Sequence, residues 1–242
     1  MGTDKYKRIL NTDMKPAASA AILFLIFLTG ISSILRANVN YIDDMGRSIY
    51  GYRNFNFSRY LSDFLSVFIH GSRTLGDASP LPQIIAVLLM AVSGVLVIRL
   101  ISDGRPPTLA GIIAVVPMGL SPYFLECFSY KFDTPYMGLS VLASVVPLFA
   151  RKKRASAYIG LTALCMTAVC TTYQASLGIF PMLTVLLCLI SWSRGDAWRE
   201  TARLCITSAA GYLLGVLAFR FLIMEEVMHN VESSQPGGRE LN

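Results

Sequence analysis

A chain of 242 residues that is 54% hydrophobic and only 15% charged, with a mean hydropathy of +0.53, falls outside the range of soluble globular domains; about a quarter of their residues are charged. The net charge of +6 does not indicate a nucleic-acid partner, because the basic residues are scattered in short stretches between apolar runs instead of forming one face. Five cysteines with no CxxC pair and no histidine at ligand spacing read as apolar packing. No glycine-rich nucleotide motif is present, so neither a metal nor a cofactor is expected.

A bilayer core about 30 Å thick takes roughly 20 apolar helical residues, and the runs follow one another along the chain at close to that length. Residues 1–16 read as a cytoplasmic N-terminus. Ala17 to Leu35 is the first span; it continues past signal-peptide length without an A-x-A-like site and is expected to stay as an anchor. The loop 36–80 is far longer than a plain helix connection of about 2 to 8 residues. Within it Phe57, Tyr60, Leu61, Phe64, Leu65 and Phe68 recur at helical spacing opposite Arg59, Ser62, Asp63 and Ser66. That pattern predicts an amphipathic helix over Ser58 to Ile69 lying in the headgroup layer.

Leu81 to Ile101 is the second span. The next two runs, Leu109 to Leu125 and Tyr136 to Ala150, are broken or bounded by Pro117, Pro122, Pro135 and Pro147, which membrane helices tolerate where neighbours satisfy the freed carbonyls. The loop between them, Ser121 to Pro135, carries Glu126, Lys131 and Asp133 among five aromatics that read as an interfacial belt. The basic cluster Arg151 to Arg154 then separates the fourth span from Ala155 to Thr172, Leu177 to Trp192 and Leu204 to Ile223. The expected architecture is all-α: a transmembrane domain over 17–224 with about seven spans, followed by a polar tail at 225–242 of disordered character.

Lysine and arginine near span ends set the orientation. With the N-terminus in the cytoplasm, thirteen of the 21 basic residues face inward, including Lys15, Arg99 and Arg151 to Arg154, and ten of the 15 acidic residues face outward. The loops 36–80 and 121–135 and the turn at Thr172 then share the outer side.

Two adjacent carboxylates, Asp43 and Asp44, emerge just after the first span. Like charges at close range raise one pKa, which suits a general base near neutral pH, and the fork of Arg47 is suited to a carboxylate or a phosphate. The alternative is a hydrated helix start with Asp44 as cap. His70 reads as a solvated loop residue. Tyr173 and Gln174 stand at an outer helix end, where they bind a sugar or join two helices.

At these residues the chain resembles the Gtr-type serotype-converting glucosyltransferases, polytopic GT-C enzymes that modify bacterial O-antigen. The matching pieces are Tyr41-Ile42-Asp43-Asp44-Met45-Gly46-Arg47, Ser121-Pro122-Tyr123-Phe124-Leu125-Glu126 with Ser129-Tyr130-Lys131-Phe132-Asp133, and Thr172-Tyr173-Gln174-Ala175-Ser176. With the span order they cover nearly the whole chain, and all fall outside in the topology drawn from charge. The resemblance implies a polyprenyl-phosphate-glucose donor, an O-antigen acceptor of lipopolysaccharide, membrane lipid as surroundings, and a periplasmic active site on a multi-pass protein of the bacterial inner membrane. It makes Asp43 or Asp44 the catalytic base, with Asp43 favoured, and Arg47, Lys131, Asp133, Tyr173 and Gln174 substrate-binding. Family members are longer and carry further spans, so the chain reads as a short form, a truncated product or a fragment. The rival readings are a transporter or flippase of a lipid-linked sugar, and an inactive membrane factor.

Overall fold

A computed structural model describes residues 10–51 and 58–224. The expectations for Lys5, Lys7, Arg8, Arg53, Phe57 and the tail 225–242 lie outside the described residues. Among those described, the regular elements are helical, and an isolated antiparallel bridge joins Asp13 to Thr108.

The first apolar run forms α1 (Pro16–Gly30) and a short α2 (Ser32–Ala37), with the chain turning at Ile31. The first loop contains α3 (Asp44–Tyr50) and α4 (Tyr60–His70). The second run is one uninterrupted helix, α5 (Leu81–Ile101), with Pro82 in its first turn, where a missing N–H costs nothing. The third run divides into α6 (Leu109–Leu120) and α7 (Pro122–Ser129), bent by 56°. The break lies at Ser121: the residue before a proline is pushed to extended backbone, here ψ 150°, and the Ser121 hydroxyl then accepts from the Phe124 amide at 3.4 Å to start the next helix. The fourth run forms α8 (Thr134–Val145), tightened into a 3-10 turn over Val146–Ala150, with Pro147 in its opening turn. α9 (Ala155–Cys170) follows, then a 3-10 turn at Gln174–Gly178 leading into α10 (Ile179–Arg194), and last α11 (Trp198–Ala218) with a π-helical end to Ile223.

The seven expected spans are not supported. Among the described residues, three stretches are long and apolar enough to cross a membrane, namely Leu81–Ile101, Gln174–Arg194 and Trp198–Ile223, and a fourth only if α6 and α7 count as one bent span. The remaining runs are apolar, but their helices are cut short. At 1.5 Å per residue, the 15 residues of α1 rise only about 22 Å against a core of about 30 Å. The hydropathy of these runs was legible, as was the turn near Thr172 that ends the fifth, whereas the turn at Ile31 inside the first was not.

α5 is the central post. It packs on α1, α6 and α8, and its Met90, Ala91, Val95 and Ile98 join Leu23, Phe27, Ile112, Val141 and Val145 in one core. Gly138 lets α8 approach closely, since a Cβ there would stand 3.3 Å from the Ala86 carbonyl. A second core, including Tyr158, Met166, Phe180 and Leu187, joins α9, α10 and α11. There the buried Tyr158 hydroxyl bonds Ser208 at 2.7 Å.

The connections sort to two ends. At one end Asp103 holds Arg151 at 3.1 Å and Lys152 at 2.9 Å, Arg203 donates to the Lys153 carbonyl, and the Met14 amide donates to Pro107. At the other end the first loop, the segment around α7 and the turn after α9 come together, and here the polar buried residues collect. The Ser62 amide and hydroxyl both donate into this turn, to the carbonyls of Thr171 and Thr172, each at 3.4 Å.

Candidate active site

α3 begins at Asp44, with Asp43 just before it already in helical backbone, and the helical turn sends the two carboxylates different ways. Asp43 is exposed, and its side chain does not cap the helix. Asp44 is fully buried, where its Oδ2 accepts from the Lys131 amide at 2.8 Å and the Tyr41 amide at 3.3 Å. Burial pushes the Asp44 carboxyl above its ordinary value and the neighbouring Asp133 adds to the rise, while the Lys131 and Tyr41 amides draw it back down. Burial therefore dominates the effect, where the sequence pointed to repulsion between adjacent carboxylates. The contact itself is a clamp between the first loop and the segment after α7.

One turn further on, Arg47 is also buried, and its Nη1 lies 2.6 Å from Asp133 Oδ1. The other oxygen of Asp133 faces Arg59 Nη1 at 3.5 Å, and the Arg59 guanidinium lies 5.7 Å from the centre of the Tyr173 ring. Asp133 thus joins α3, the start of α4 and the start of α8. A buried carboxylate between two guanidiniums has its ionised form offset by opposite charge and by directed donors.

Lys131 completes the framework from behind. Its Nζ donates to the Asn38 carbonyl and to Asp77 Oδ2, both at 3.0 Å, tying the exit of α2 to the approach to α5. His70 is half-buried instead of a solvated loop residue. Its ring stacks on Phe132 with centroids 5.6 Å apart, and Nδ1 meets the Gly76 carbonyl at 2.9 Å. The aromatics expected to form an interfacial belt are largely core: Phe124, Phe128 and Phe132 are buried, and Tyr123 stays exposed.

In front of this framework opens a cavity of about 330 Å³. Three carboxylates line it, Asp43, Glu126 and Asp133, with Arg59, three tyrosines (Tyr123, Tyr130 and Tyr173), Cys127 and Met137. Glu126 accepts from the Tyr41 hydroxyl at 3.3 Å, Tyr41 stands edge-on to Tyr130, and Tyr123 donates to the Tyr173 hydroxyl at 3.2 Å. Three carboxylates, a guanidinium and several hydroxyl groups therefore share one space.

Of the residues singled out from sequence, Asp43, Asp133 and Tyr173 line this cavity together. Arg47, Asp44 and Lys131 stand behind its wall, and Gln174 is outside the lining. Sequence reasoning gave no site role to Glu126, Tyr123 or Tyr130, and left Arg59 one of several outward cations. Glu126 had a signal, since it closes the Ser121 to Glu126 motif, but nothing in the spacing placed it opposite Asp43. Among the described residues, no group of three or more His, Cys, Asp or Glu side chains is arranged to hold a metal ion.

The model of the family described as Glucosyl transferase GtrII matches residues 32–239. An uncharacterised 55.3 kDa protein from the region 5′ of gtrB in Salmonella phage P22 is 25% identical over 199 residues. The match takes in 81% of this chain and 41% of the phage protein, so the chain spans about two-fifths of that relative. No solved structure matches the chain.

Proposed function

The chain belongs to the glucosyl transferase GtrII family, and from that premise we propose that it moves glucose from a polyprenyl-phosphate donor to an O-antigen polysaccharide at the periplasmic face of a bacterial inner membrane. The observation that carries this reading is one cavity built from three segments far apart in sequence, which Asp43, Glu126, Asp133 and Arg59 line together. A lipid-linked sugar needs no nucleotide fold, and it presents its phosphate at membrane level, where these loops leave the helices.

In the proposed reaction the Asp43 carboxylate takes the proton of an acceptor hydroxyl as that oxygen bonds the glucose C1. The bond from C1 to the phosphate oxygen breaks and the lipid phosphate leaves with the electron pair. Arg59 meets the charge that develops on the phosphate. Asp43 is the better base because it reaches the cavity; Asp44 is a positioning residue that holds α3 against the segment after α7. Asp133 orients Arg47 and Arg59, and the tyrosine hydroxyls bind sugar. α4 turns Ser62 and Ser66 toward the protein and leaves Tyr60, Phe64 and Phe68 exposed, an arrangement suited to a helix lying in the headgroup layer.

The test is transfer in lipid nanodiscs containing the purified chain, polyprenyl-phosphate-glucose and O-antigen. The expected product is heavier by one hexose per repeat unit. Folded protein that gives no hexose addition overturns the reading.

A further inference from the structure

We propose that a second cavity, beside the active site, holds the hydrocarbon chain of the lipid donor next to its phosphate. This deepens the glucosyl-transfer reading and rests on it. The cavity is about 250 Å³, and its deep wall is apolar: Met90 and Val97 from α5, Met118 from α6, Val141 and Val145 from α8, and Leu183 from α10. Its mouth is formed by Ser121, Tyr123, Ala175 and Ser176. Tyr123 also lines the carboxylate cavity, where its hydroxyl donates to Tyr173, so this one tyrosine borders both cavities.

The cavity follows from the sequence of the third run. Pro122 forces the break at Ser121, and the 56° bend takes α7 off the line of α6, with Met118, Ser121, Tyr123 and Phe124 from the two sides of the bend lining the cavity beside α5 and α8. α6 and α10 flank the opening and make little contact with each other. Protein cores pack with few voids larger than a water molecule, and an apolar void does not retain water well. A space with this lining is suited to hydrocarbon, and methionines on two of its walls adapt to an irregular chain. An apolar cavity joined at one tyrosine to a cavity holding a guanidinium matches an amphiphile with an anionic head. A polyprenyl phosphate has that form, with its phosphate toward Arg59 and its first isoprene units past Tyr123.

The test uses the chain in phospholipid nanodiscs with a geranylgeranyl phosphate carrying a diazirine on the isoprene unit next to the phosphate. Photolysis is expected to label the peptides of α5, α6 and α8 that line the cavity. Filling it with Met118→Trp or, at the more exposed mouth, Ala175→Trp should reduce labelling about tenfold. Leu164→Trp, on an outward face of α9 that is 69% exposed, should leave it unchanged. Undecaprenyl phosphate should compete, and phosphatidylglycerol should not. Absent labelling, labelling confined to outer helix faces, insensitivity to both tryptophans, or equal competition by phosphatidylglycerol overturns the proposal. Hexose transfer by the unmodified chain is scored separately: cavity labelling without transfer sinks the glucosyl-transfer reading alone, and transfer with labelling elsewhere sinks the cavity alone.

Discussion

Asp43 and Asp44 are adjacent in sequence, and one helical step puts the first at the cavity and the second inside the protein. Their substitutions should separate accordingly. Removing a general base costs about 10²- to 10⁴-fold in rate, so Asp43→Asn is expected to lose hexose transfer by that factor while its membrane yield and thermal unfolding stay as in the parent. Asp44→Asn keeps an oxygen for the Lys131 amide and loses only a charge that burial already disfavours, so transfer should fall by less than about tenfold. Equal losses from the two would return Asp44 to the list of candidate bases. His70 carries a pH dependence. Burial holds its imidazole below the ordinary histidine value, against the opposing pull of the Gly76 carbonyl and Asp77. The unfolded chain therefore takes the proton first as pH falls through about 6.5, and stability present above that pH is lost as the pH drops through the lower folded value. Thermal unfolding in detergent should shift to lower temperature as the pH is brought from about 7 to below about 6.5, and His70→Gln should flatten the shift; an unchanged slope would place its origin elsewhere.

Among the elements, α5 was the most legible, because the 21 residues between Pro80 and Ser102, apolar but for Gln83, Ser93 and Arg99, have the length of a span. The amphipathic pattern of α4 was legible too, with its aromatics on one side and Ser62 and Ser66 on the other. Periodicity could not tell that the serine side faces protein. The pairing of α9 with α11 depends on small residues, as membrane helix contacts commonly do. A Cβ on Gly215 would stand 2.5 Å from the Ala163 carbonyl and 2.7 Å from the Met166 Cβ, whereas a Cβ on Gly160 meets nothing within 4 Å. Gly215→Ala is expected to destabilise by about 1–3 kcal/mol through overpacking. Gly160→Ala should stabilise by a few tenths up to about 1 kcal/mol through helix propensity. Thermal unfolding of the two variants in one detergent checks the sign of each, and a stabilising Gly215→Ala would mean that these helices separate more easily than the contact implies.

At the scale of the molecule, the two ends of the bundle differ in kind. One gathers Lys15, Arg99, Asp103 and the Arg151 to Arg154 cluster; the other gathers the carboxylates, tyrosines and Arg59. The charge bias predicts that the first end is cytoplasmic. An impermeant thiol reagent added outside cells should modify a cysteine introduced at Ser129 and spare one at Lys152. Labelling at Lys152 from outside would reverse the orientation and, with it, the periplasmic placement of the site.

The sequence by itself determined that the protein is helical and apolar, where its basic loops fall, and which family it belongs to, because these depend on composition, local periodicity and short motifs that each read independently of the rest. It singled out Asp43, Asp133 and Tyr173, which line one cavity, together with Asp44, which does not; it left Arg59 among several outward cations and gave Glu126 no place. These placements depend on which side chains come to one cavity across 74 to 83 positions of chain, from Arg59 to Asp133 and from Asp43 to Glu126. Only packing decides such meetings: α5 packs on both α1 and α8, the Asp44 contact ties α3 to the segment after α7, and the break at Ser121 turns α7 off the line of α6. The span count was decided the same way, since hydropathy measures how apolar a run is, while a turn such as that at Ile31 sets how far its helix can reach.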